Sequence, residues 1–254
     1  YANTDPERTT LIIKGSVIPV QRSVAPAYGH TMGTLGLKAV HVPFFEVYTN
    51  KTKVEKIDII NNGKMPLTLE FDKVPRHLDV SVLPETLSPG EKGRILITYH
   101  ADRAKDWGIR RDEFWVKLPS SDKPQPQNKI TVSADIQEDY SGMTPDRIAK
   151  APHLEIGNDL VDFGTIKGNT AVSKSVSLTN AGVSNLQIRK VNNESQVVSV
   201  SLPQMSIQSG KSIDMKITVR PSKSRSRLLN HRIFIITNDP ARPTISLPVV
   251  ATFE

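Results

Sequence analysis

The sequence predicts an all-β chain of tandem immunoglobulin-like antiparallel β-sandwiches, about seven strands each, joined by a short linker helix. Three observations carry that expectation. The closing stretch alternates: Ile245, Leu247, Val249, Ala251 and Phe253 fall on one face, and Ser246, Pro248, Val250 and Thr252 on the other. A period of two marks a strand with one buried face. The same phrase recurs: Asp5, Asp122 and Asp239 stand 117 residues apart (122 − 5 and 239 − 122), each ahead of an alternating strand. Ile13, Ile130 and Leu247 keep that interval, as do Val17, Ala134 and Ala251. Finally, short strand patterns separated by turn signals follow one another about every dozen residues, the spacing of a sandwich.

The repeat sets the expected division. Residues 1–19 read as the closing strand of an upstream domain whose body lies before Tyr1. Residues 20–36, rich in Pro, Gly, Ser and Ala, read as a linker or lead-in strand. The first complete sandwich is expected over 37–140, with strands near 40–48, 53–61, 66–71, 78–83, 92–100, 112–119 and 128–136. Ser88-Pro89-Gly90-Glu91 is a turn, because Pro fixes one torsion and Gly permits a positive φ. Asn61-Asn62-Gly63 is another. A linker helix is expected over 141–152: Thr144 offers an N-cap hydroxyl, Pro145 suits the first helical position, and Ala151-Pro152 stops it after about two turns. The second sandwich, 153–254, replays the first. Ser175 to Gly182 matches Lys56 to Gly63, and Asp214 to Val219 matches Ile95 to Tyr99.

These residues resemble a known bacterial module. Phe163-Gly164-Thr165-Ile166, Thr179-Asn180-Ala181-Gly182, Asn185-Leu186-Gln187-Ile188 and Thr237-Asn238-Asp239-Pro240 look like the module called domain of unknown function 1573. That module is similar to Hydin-like immunoglobulin-type repeats. Leu11 to Pro19 resembles its closing strand. The resemblance implies tandem sandwiches in secreted or envelope-anchored proteins, and no established activity. It therefore implies a periplasmic, outer-membrane-associated or extracellular location. Many copies carry Cys-Gly-Cys after the third strand; here Val74-Pro75 and Asn192-Asn193-Glu194 stand in its place. Thiol chemistry is absent from these two copies.

Composition narrows the function. The chain has no cysteine, which removes disulfides, thiolate metal sites and cysteine nucleophiles. Lys and Arg number 33 and Asp and Glu 26, a net charge of +7, but the excess is scattered and only Lys223 to Arg232 is dense. A nucleic-acid partner is not expected, since it calls for a concentrated patch with aromatic platforms. No apolar run is long enough to span a membrane as a helix. The six histidines show no ligand spacing, so no metal site is expected, and no phosphate loop or nucleophile elbow suggests a cofactor or a catalytic residue. Asp102 to Asp106 and Glu138-Asp139 read as solvated loop charges.

The expected role is thus a non-enzymatic binding or spacer protein acting by contact with other proteins. Trp107, Arg110 and Arg111, in the loop before the sixth strand, are the candidate partner surface, because Trp and Arg are enriched at binding hot spots. The alternative for Trp107 is packing over the sandwich end. Ser222 to Arg227 occupies the equivalent loop of the second sandwich, either solvated or facing an anionic ligand. Residues 4–18 are expected to add as a strand to a neighbouring domain or another molecule. Two other readings stay open. One is a carbohydrate-binding accessory module, which calls for exposed coplanar aromatics in a chain that is only 6% aromatic; the other is a cytosolic scaffold.

Overall fold

The computed structural model describes residues 27–119 and 125–254. The closing strand expected over 1–19, residues 20–26, Asp5, Asp122 and the strand addition expected of 4–18 lie outside the described residues.

The first sandwich comprises β1 (His30–Met32), β2 (Leu35–Leu37), β3 (His41–Tyr48), β4 (Thr52–Asn61), β5 (Leu67–Thr68), β6 (Glu70–Asp72), β7 (Leu78–Leu83), β8 (Thr86–Leu87), β9 (Lys92–His100), β10 (Gly108–Lys117) and β11 (Lys129–Gln137). The second comprises β12 (Leu154–Ile156), β13 (Val161–Ile166), β14 (Val172–Asn180), β15 (Leu186–Asn192), β16 (Val198–Ser201), β17 (Ser206–Ile207), β18 (Ser212–Val219), β19 (Leu228–Thr237) and β20 (Thr244–Phe253). One sheet of the first runs β1-β2-β4-β9-β7 and the other β3-β11-β10-β6. The second repeats them as β12-β14-β18-β16 and β13-β20-β19-β15-β17.

Alternation explains the layers. Ile95, Ile97 and Tyr99 of β9 point inward, as do Phe114 and Val116 of β10 and Ile130, Val132 and Ala134 of β11. Met215, Ile217 and Val219 do the same in β18, and Leu247, Val249 and Ala251 in β20. The buried apolar side chains form two separate clusters, one per sandwich. Each fully buried Leu, Ile or Phe contributes roughly 1.5–3 kcal/mol.

Two features depart from the sequence reading. The first sandwich starts before residue 37: of the two readings of 20–36 the lead-in strand holds at 30–32 and 35–37, where Met32, Leu35 and Leu37 are buried and β2 pairs with β4. Gly36 and Gly33 masked that apolar pattern. Nor is either sandwich wholly antiparallel. After β2 and β12 the chain crosses to the facing sheet, where β3 runs parallel to β11 and β13 parallel to β20. A strand that begins in one sheet and ends in the other meets the closing strand from the same direction.

The helix expected after residue 140 is α2 (Pro145–Ala149), shorter than two turns. Thr144 precedes it without a side-chain cap, and Pro152 restricts Ala151 and ends it. A second helix, α1 (Ala101–Ala104), and a 3₁₀ turn over Pro221–Lys223 follow β9 and β18 and lack any periodic signal, being about one turn each.

One side chain rivets each sandwich. Asn61 is fully buried; its amide donates to Met65 O (2.8 Å) and Leu87 O (2.9 Å), and its Oδ1 accepts from Gly63 N (2.9 Å). Asn180 repeats this with Ser184 O (2.9 Å), Ile207 O (2.9 Å) and Gly182 N (3.0 Å). A buried amide is tolerated because its hydrogen-bonding capacity is used.

Candidate functional site: the junction between the sandwiches

The β9–β10 loop of the first sandwich rests on the β15 and β19 ends of the second. Its shape follows from the sequence. Ala101 and Ala104 are buried, which seats α1 on its own sandwich. Lys105 then takes a left-handed conformation (φ 49°), as does Gly108 (φ 69°), and the chain turns into β10. A Cβ on Gly108 would lie 2.3 Å from Ile236 Cδ1, so glycine permits this approach. Ile236 is buried, yet it stands outside the core cluster of its own sandwich.

Charge fixes the contact. Asp106 accepts from the Trp107 amide (2.8 Å), from Arg110 Nη1 (3.1 Å) and, across the junction, from Lys190 Nζ (2.8 Å). Arg110 also forks onto Asp112, with Nε donating to Oδ2 (2.9 Å) and Nη2 to Oδ1 (2.9 Å). Asp112 in turn pairs with buried His77 (2.8 Å). Arg189 of the second sandwich lies 5.0 Å over the Trp107 ring and pairs with Glu138, which also accepts from the Tyr140 hydroxyl. Burial alone would raise the carboxyls of Asp106 and Asp112. The donors outweigh it: Lys190, the Trp107 amide and Arg110 hold Asp106 below the usual range, and His77 and Arg110 do so for Asp112. Burial first, then the Asp112 charge, pushes the Tyr99 phenol up beneath this cluster.

The connecting segment is tied at both ends. Asp139 is held well below the carboxylate range by Lys51 (2.7 Å), Ser141 and Asn50 (3.2 Å). Beyond α2, Val183 N donates to Ala151 O (3.2 Å) and Ala181 N to His153 O (2.8 Å). Gly182 is needed there, since a Cβ would meet Ala151 O and His153 N at 2.4 Å. Fully buried Asp239 accepts from Leu154 N (2.9 Å) and pairs with His153 (3.1 Å).

Grooves flank the contact. One, of 740 Å³, is lined by Asp139, Tyr140, Arg147, Lys150, Arg189 and their neighbours. Another, of 400 Å³, is lined by Ile109, Arg111, Asn192, Glu194, His231, Arg232 and Phe234. Burial keeps the His231 imidazole below its ordinary value.

The structure brings Trp107 and Arg110 together at the junction and places Arg111, exposed, at its rim. Sequence reasoning missed the rest of the cluster. Asp106, Glu138 and Asp139, read as solvated, each accept from cations, whereas Asp102 is exposed as expected. Lys190, Arg189, His77 and Asp112 carried no local signal, because strands distant in sequence deliver them. The carboxylates of Asp106, Asp112, Glu138 and Asp139 each sit against a basic side chain, an arrangement that holds surfaces together. Among the described residues no group of three His, Cys, Asp or Glu is placed to hold a metal ion. No helix among them is long and apolar enough to cross a membrane.

Residues 152–252 match the family model described as HYDIN/CFA65/VesB-like, Ig-like domain. The match makes the second sandwich an immunoglobulin-like domain. A protein of unknown function from Porphyromonas gingivalis W83 superposes with a TM-score of 0.61 at 18% identity, covering 87% of this chain and 100% of that one, a likeness of fold. The Vibrio cholerae VesB protease matches with a TM-score of 0.32 at 15% identity, over 43% of this chain and 34% of that one. No curated protein sequence matches the chain.

Proposed function

We propose that this chain is a non-enzymatic binding or spacer protein of the bacterial cell envelope, built from immunoglobulin-like repeats and acting by protein–protein contact. The observation that carries this reading is the junction. Two sandwiches are fastened by Asp106–Lys190, Arg189–Glu138 and the glycine-permitted contact of Gly108 with Ile236. A spacer needs its modules held in a fixed relation, and this contact supplies it. The division that goes with the proposal is a first sandwich over 37–140, extended back to include β1 and β2, a linker helix over 141–152, and a second sandwich over 153–254. The envelope location, and the narrower assignment to domain of unknown function 1573, rest on the resemblance of the module.

Within this reading the partner surface is the rim of the junction. Arg111 is offered outward, while Trp107 and Arg110 shape the surface from within. Strand addition by residues 4–18 to a neighbouring domain or molecule belongs to the same proposal. The test is retention of envelope and cytosolic protein fractions, separately, on the immobilised full chain. A partner retained from the envelope fraction, and released by Arg111→Glu, is expected. Retention only from the cytosol, or no retention, contradicts the proposal.

A further inference from the structure

An aromatic side chain is held where folding has no use for it. Phe45 lies on β3, at the edge of its sheet, and is 71% exposed. Its φ is 53°, in the left-handed region that a Cβ disfavours. The kink itself is architectural. β3 bulges against β11 between Ser133 and Ala134, and β13 bulges against β20 at the matching place. Phe44 and Phe163 are buried at the two kinks, and a lysine braces each one: Lys53 donates to Phe44 O and Lys174 to Asp162 O. At the next position the second sandwich has Gly164 (φ 63°), the residue such a conformation favours. The first sandwich has Phe45. Strain kept at an exposed ring points to a use for the ring.

The surroundings suggest what the ring meets. Phe45, Glu46, Tyr48, Lys53 and Asp135 line an open depression of 520 Å³. Glu46 Oε2 accepts from the Tyr48 hydroxyl (3.1 Å), and Asp135 Oδ2 accepts from Gln137 (2.7 Å). The second oxygen of each carboxylate stays open among the described residues. The ring stands among polar groups, outside any contiguous apolar patch of the kind that marks an apolar docking face. A pyranose has the complementary chemistry. Its C–H face carries slight positive charge and stacks on the negative face of an aromatic ring, while its hydroxyls donate to carboxylates. We propose that Phe45, with Glu46, Tyr48, Lys53 and Asp135, forms a subsite for a sugar ring of a neutral glycan. This stands independently of the protein-contact reading.

The test uses the labelled full chain on a printed array of neutral microbial oligosaccharides and polysaccharides, beside Phe45→Gly and Asp135→Asn. Phe45→Gly relieves the backbone, so its Tm is expected to equal or exceed that of the parent by about 2–4 °C. Its retention on the array is expected to fall at least tenfold, with a smaller fall for Asp135→Asn at unchanged Tm. The fold and the binding thus move in opposite directions. If no neutral glycan retains the parent, or if Phe45→Gly retains glycans as well as the parent does, the proposal is overturned. Retention of a protein ligand alone through Phe45 overturns it as well.

Discussion

The two sandwiches share an interior and differ at their ends. Asn61 and Asn180 share three bonds, Asn180 adding one from His153 N, and both kinks follow a buried Phe. The β9–β10 loop and the β18–β19 loop are also equivalent. Ile109 faces Asp135 in its ladder and Leu228 faces Thr252, 117 residues on (252 − 135), so Gly108 stands where Arg227 does and Asp106 where Arg225 does. In the first sandwich that loop docks, through an acid and a glycine. In the second the same positions carry exposed arginines. A guanidinium cannot occupy the space of Gly108 without displacing Ile236. The fold is common property, then, and the contact is written in a few loop residues.

Several substitutions test that division between shared interior and private ends. The largest effect belongs to the rivets. Asn61→Ala or Asn180→Ala strands buried carbonyls and amides, and each is expected to lower the stability of its own sandwich by about 3 kcal/mol in urea unfolding. A loss confined to one of the two would break the equivalence. Gly182→Ala drives a methyl into the backbone of residues 151–153, with an expected loss of about 2 kcal/mol from the second sandwich. The matching first-sandwich glycine, Gly63, faces only side chains and should tolerate alanine better.

Next comes the junction's charge. Asp106→Asn is expected to cost about 1 kcal/mol, and a double-mutant cycle with Lys190→Met should show coupling between the sandwiches. The pH dependence has a definite sign. Asp106 and Asp112 are depressed in the folded chain, so their contribution is complete above the unfolded carboxyl value of about 3.9. It is lost as pH falls through the lower folded values. Acid unfolding should therefore steepen below about pH 4, and less so in Asp106→Asn. Smallest is Arg111→Glu, at the exposed rim, expected to change stability by less than about 0.5 kcal/mol. A larger loss in urea unfolding would move Arg111 from the rim into the junction.

Strand positions and sandwich architecture were legible because alternation and turn residues are local signals. Ile95 to Tyr99 and Ile245 to Phe253 read directly as strands. The β1–β2 pair was legible only as one of two alternatives, a linker or a lead-in strand, since three-residue strands broken by glycines offer no period. The junction was half legible. Trp107, Arg110 and Arg111 stand out by residue type, but Asp106 resembles any loop acid until Lys190, 84 positions away, arrives beside it. The strained ring at Phe45 was invisible for a similar reason, because a φ value is not written in residue identity.

The most direct test of the central claim, that the junction holds the two sandwiches in one relation, is a spin-label distance measurement. The chain has no cysteine, so labels at Glu85→Cys and Lys216→Cys, both exposed, report only the separation of the two sandwiches. The account predicts one narrow distance distribution in the parent, broadened by Gly108→Arg, which installs the second loop's residue in the first. A distribution already broad in the parent, or one that Gly108→Arg leaves unchanged, would contradict it.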